Sequence, residues 1–92
     1  MKVDILVLDK VVQLRIPDSD MSKFDNLENM LKTLPNVKFI KKSMTFETPI
    51  IDYEYQGIEF SLLFDEQESE TFIAVPKPFD YQKIQKFIES LS

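Results

Sequence analysis

The chain has 92 residues, enough for one small domain spanning 1–92. Hydrophobic residues make up 43% of it, and 16 acidic against 11 basic residues leave a formal charge of -5. Cys and His are absent and Gly57 is the one glycine, which excludes disulfides, thiolate or imidazole catalysis, Cys- or His-ligated metals and a glycine-rich phosphate cradle.

In chain order, Val3 to Leu8 reads as a strand and Val11 to Ile16 as its hairpin partner across Asp9-Lys10. That turn pairs Val3 with Ile16, Ile5 with Leu14 and Val7 with Val12 on one apolar face. Asp4 then meets Arg15 as a charge pair on the other face, and Leu6 meets Gln13. Pro17-Asp18-Ser19-Asp20 opens a helix to about Leu34, with three candidate N-caps. Phe24, Leu27, Met30, Leu31 and Leu34 form its apolar stripe.

Val37 to Phe46 reads as a strand interrupted by Lys41-Lys42-Ser43, with Glu47-Thr48 as its turn. Pro49 to Tyr55 and Ile58 to Phe64 form a hairpin around Gln56-Gly57, with Gly57 at a positive φ. This hairpin stacks Tyr55 with Ile58, Tyr53 with Phe60, Ile51 with Leu62 and Pro49 with Phe64. The Glu47-Thr48 turn adds Met44 beside Ile51 and Ile40 beside Tyr55 on the same face. On the opposite face it sets Lys41 beside Glu54, relieving the contact of Glu54 with Glu59. Asp65 to Ser69 is an acidic loop, Glu70 to Val75 the last strand, and Val75 to Phe79 a stiff connector. Asp80 caps a final helix, stapled by Phe79 and Ile84, whose apolar face is Ile84, Phe87, Ile88 and Leu91.

The order ββαββββα predicts an α+β two-layer sandwich, with both helices on one face of a mainly antiparallel six-stranded sheet. The strand after the first helix is expected to run parallel to the strand before it. Neither a nucleic-acid nor a membrane partner is expected, because Arg15 is the one arginine and Lys41-Lys42 the longest basic run. No apolar run approaches the ~20 residues of a membrane span. The N-terminal apolar stretch is short, contains Asp4 and lacks a cleavage site, so the expected location is the cytoplasm.

Carboxylates are the remaining chemical candidates. The run Asp65 to Glu70 lacks the glycine and ligand periodicity of a calcium loop, and a solvated hairpin loop explains it. Capping and dipole complementarity explain Asp18, Asp20 and Asp25 at the start of the first helix, and together with Glu28 they form an anionic patch for a basic protein in the functional reading. Asp52, Glu54 and Glu59 share an open sheet face, where nothing raises a carboxyl pKa for acid–base work. Tyr53 and Tyr55 fall on the apolar face and read as core. No cofactor or metal is expected.

The second sheet face is mixed where polar residues are usual. Leu6, Leu8, Val11, Ile50 and Leu63 fall there, with either Ile73 and Val75 or Phe72 and Ala74. The candidate interface is Asp4, Leu6, Arg15, Lys41, Ile50, Asp52, Glu54, Glu59 and Leu63. It points to a small acidic, non-catalytic interaction module, of the inhibitor or adaptor kind, that binds a basic protein through the helix-free face or an edge strand. The alternative is a homodimer burying the same face, and a carboxylate and metal enzyme is the third reading.

Overall fold

The computed structural model describes residues 1–45 and 48–91. Six strands and two helices follow in the expected order: β1 (Asp4–Val7), β2 (Val11–Ile16), α1 (Met21–Thr33), β3 (Val37–Thr45), β4 (Thr48–Tyr55), β5 (Ile58–Asp65), β6 (Glu70–Pro76) and α2 (Tyr81–Glu89). The strands form one sheet in the order β1-β2-β6-β5-β4-β3, and every neighbouring pair is antiparallel. Both helices lie on one face of it. No helix among the described residues is long and apolar enough to cross a membrane.

Local chemistry explains the boundaries. Asp20 is the N-cap of α1 and its carboxylate accepts the Lys23 amide at 3.1 Å. Asp80 does the same for α2, accepting from Gln82 and Lys83. Gln56 and Gly57 both have positive φ, 52° and 80°, as a type I′ hairpin turn requires. The registers of both tight hairpins are as their turns dictate, with Ile5 opposite Leu14 and Tyr53 opposite Phe60.

The core lies between helices and sheet. Phe24, Leu27 and Leu31 of α1 and Ile84, Phe87 and Ile88 of α2 pack on Val12, Leu14, Ile51, Phe60, Leu62, Ile73 and Val75. Each side chain removed from water here contributes about 1.5–3 kcal/mol. Among the described residues, Ser19 and Thr71 are the polar ones buried with them. The Thr71 amide donates to Ser19 Oγ at 2.8 Å and to its carbonyl at 3.0 Å, and Thr71 Oγ1 donates to that carbonyl at 3.2 Å. Ser19 Oγ donates to the Ile16 carbonyl. The link between β2 and α1 is thereby fastened to β6.

The edge strand β3 departs from expectation. Thr48, expected in the turn, is paired in the strand with Thr45, while Phe46 and Glu47 lie outside the described residues. Met44 therefore faces Pro49 instead of Ile51 and is 62% exposed. A bulge between Phe39 and Lys41 then inserts one residue. Because of it Phe39 and Lys42, three residues apart, share the helix face. Phe39 meets Tyr53 edge-on, and Lys42 reaches Glu28 of α1 at 2.8 Å. Ile40 leaves the ladder and does not reach Tyr55, whose partner is Val37. Lys41 sits opposite Asp52 rather than Glu54, and Lys38 takes the place beside Glu54. β2 and β3 run in the same direction, as expected, but β6, β5 and β4 separate them.

Candidate functional site

The sheet face without helices collects the titratable residues. The registers β2–β6 and β5–β6 put Phe72 and Ala74 on it and Ile73 and Val75 in the core, which resolves the alternative left open by the last strand. One row across the sheet runs Leu6, Gln13, Ala74, Ser61, Asp52 and Lys41. A second begins Asp4, Arg15, Phe72 and Leu63. Glu54 and Glu59 face one another between β4 and β5.

Arg15 organises one side of this face. Its guanidinium lies 4.5 Å from the centre of the Phe72 ring, a cation–π geometry. Nε donates to Glu70 at 2.8 Å, Nη2 to Asp65 at 3.0 Å and Nη1 to Gln13 Oε1 at 3.0 Å. The expected charge pair with Asp4 is therefore corrected. Asp4 is the backbone neighbour of Arg15, but two carboxylates from the β5–β6 hairpin hold the cation. The Arg15 hydrogen bond, then the Glu68 amide, hold the Asp65 carboxyl below the ordinary carboxylate range. Asp65 Oδ1 also accepts from Gln67 and Glu68 at 3.0 and 3.2 Å, closing the acidic loop as an Asx turn. Glu66 accepts from Thr48 at 2.6 Å. Among the described residues no group of three or more carboxylates converges to hold a metal ion.

Two shallow depressions of about 320 Å³ each mark the face. One is lined by Ile40, Lys41, Asp52, Glu59, Ser61 and Pro76, with Ser61 Oγ donating to Asp52 at 2.6 Å. The other includes Arg15, Ile50, Leu63, Asp65 and Phe72. Of the nine candidate interface residues, Lys41, Asp52 and Glu59 meet in the first and Arg15, Ile50 and Leu63 in the second. Glu54 faces Glu59 beside the first, and Asp4 and Leu6 stand apart on β1.

Of the four acids at the start of α1, Asp20 caps the helix and Glu28 is paired with Lys42. Beyond that pair, a cavity of about 380 Å³ between α1 and β3 is lined by Leu31, Val37, Phe39 and Tyr53. Burial, and secondarily the Glu28 charge, pushes the Tyr53 hydroxyl up to about 12. Sequence reasoning missed the two sheet edges as the places where large apolar side chains are most exposed. Ile5, Leu6, Val7 and Leu8 are exposed at one edge, and Phe39, Ile40 and Met44 at the other. The apolar run Ile5 to Leu8, with no polar residue at alternate positions, was the available signal.

Comparison with known protein families, curated proteins and solved structures found no match.

Proposed function

We propose that the chain is a small, non-catalytic interaction module that holds a basic protein partner against the helix-free face of its sheet, as an inhibitor or adaptor does, in the cytoplasm. The observation that carries this reading is the pairing of two depressions with an acidic surround on one face. The floor of the second depression is apolar, with Leu63, Ile50 and Phe72. Around it stand Asp4, Asp52, Glu54, Glu59, Asp65 and Glu70, against Arg15, Lys38 and Lys41. The Arg15 charge is already taken up by Asp65 and Glu70, so the field reaching an approaching protein is negative. Such a field speeds encounter with a basic surface, and an apolar floor supplies holding contacts. The lack of His and Cys favours binding over catalysis, and the lack of Cys suits a reducing compartment.

The test is capture from the native cell at low salt. A stoichiometric basic protein, released as salt rises past ~0.15 M, is expected. Reversing Asp52 and Glu54 to lysine together should abolish capture while the thermal midpoint stays near that of the wild type. A partner that binds this folded variant as it binds the wild type would place the site elsewhere.

A further inference from the structure

The two edges of the sheet are built in opposite ways. At β3 the edge carries a bulge and three lysines, Lys38, Lys41 and Lys42. Bulges and lysines are the devices by which edge strands are kept from pairing with other chains. β1 has neither. Its four residues, Asp4–Val7, are all exposed, and Ile5, Leu6, Val7 and the following Leu8 are 42%, 47%, 56% and 39% accessible. Apolar side chains project from both faces: Ile5 and Val7 on the helix side, opposite Leu14 and Val12, and Leu6 on the other, opposite Gln13. A strand apolar on both faces is the pattern of an interior strand, not of an edge.

The backbone of β1 is equally ready. The Leu8 amide donates to the Val11 carbonyl at 2.9 Å. The alternation of an antiparallel ladder then turns the N–H and C=O groups of Asp4 and Leu6 inward to β2 and those of Ile5 and Val7 outward. Read outward from Leu6, the centre of the strand is symmetric in character, with Ile5 on one side and Val7 on the other. A strand whose centre reads alike in both directions sets apolar residues opposite apolar residues in its own antiparallel copy.

We propose that β1 pairs antiparallel with β1 of a second copy of this chain about a two-fold axis perpendicular to the sheet, joining two six-stranded sheets into one. Such an axis keeps the helices of both copies on the same side. Leu6 then falls on the axis opposite its own copy, and Ile5 lies opposite Val7 of the second copy, with the outward N–H and C=O groups of both engaged. Asp4 comes diagonally across from Lys10 of the second copy, within reach of a long side chain. β3 does not compete as the docking strand, because its bulge breaks the ladder that a second chain must follow. The helix-free face stays open in this dimer, so the inference is independent of the partner proposed above.

Sedimentation equilibrium across a concentration series tests it. The wild-type mass is expected to rise from one chain toward two through the micromolar range. Added salt should strengthen the dimer, because it screens repulsion between copies that each carry -5, whereas it releases a basic partner. Leu6→Lys puts two like charges on the axis, and Val7→Pro removes an outward amide that the monomer does not use. Both variants should stay at one chain mass throughout. Mixing Leu6→Lys with Leu6→Glu should restore the two-chain mass, a rescue that a merely folded or unfolded variant cannot mimic. Phe39→Lys, at the other edge, should dimerise as the wild type does. A wild type that keeps one chain mass at every concentration overturns the proposal, and so does a dimer that both Leu6→Lys and Val7→Pro leave intact. Capture of a basic protein by monomeric Val7→Pro keeps the two readings separate.

Discussion

Tyr53 ties the packing of the β3 edge to pH. Its ring stacks on Phe60 at 5.5 Å and receives Phe39 edge-on at 6.3 Å. Burial first, and the nearby Glu28 second, hold its hydroxyl up to about 12, against about 10 for a tyrosine in an unfolded chain. Between those two values the folded chain keeps a proton that the unfolded chain has released. The stability linked to Tyr53 is therefore whole below pH ~10 and is lost as pH rises through the folded value. Urea midpoints measured across pH 9 to 12 (a range set by the same two pKa values) should fall in the wild type. In Tyr53→Phe, which keeps the ring and removes the titrating group, they should fall less. Asp65 works in the opposite sense. Its carboxyl is lowered, so its contribution is present above the ordinary carboxylate range and is lost as acid protonates it and frees Arg15.

Among the elements, the seam between β2 and β6 carries the molecule's buried polar bonds. Thr71 and Ser19 satisfy one another there, side chain to backbone in both directions. Thr71→Val keeps the shape but leaves the Ser19 carbonyl with the residue-71 amide as its remaining donor, and should lower the unfolding free energy by about 0.5–1.5 kcal/mol in denaturant titrations. An unchanged midpoint would mean that the amide of residue 71 alone holds the seam. Much at this scale was legible in the residues. Asp9-Lys10 and Gln56-Gly57 leave no slack, so each turn sets every pair in its hairpin, and a one-residue slip would have turned Ile5 or Tyr53 outward. The candidate face followed from the same alternation. The β3 register did not: β4 begins at Thr48, inside the expected turn, and the bulge between Phe39 and Lys41 leaves no composition mark, so Lys41-Lys42-Ser43 reads as an interruption although the strand runs through it. The partners of Arg15 were equally hidden. Its backbone neighbour is visible from the β1–β2 turn, but Asp65 and Glu70 reach it across a pairing of β2 with β6 that no local pattern announces.

For the whole molecule, the strand order has a consequence in time. From β3 onward the chain is a meander, each strand pairing with the next in sequence, while β2 must find β6 some 60 residues later. Local pairings close at little entropic cost and long ones wait. The expected order of events is a sheet growing from β3 to β6, with the β1–β2 hairpin joining last and leaving first. Hydrogen exchange in the native state should show this hairpin's amides opening at a lower free energy than those of β4 and β5. Uniform protection across all six strands would instead mark a single cooperative unit. In a molecule that opens in this order, the last strands to arrive are those that carry the Leu6 edge and the Arg15 side of the acidic face. Both surfaces exist only once the rest of the chain has finished folding, so a half-made molecule presents neither.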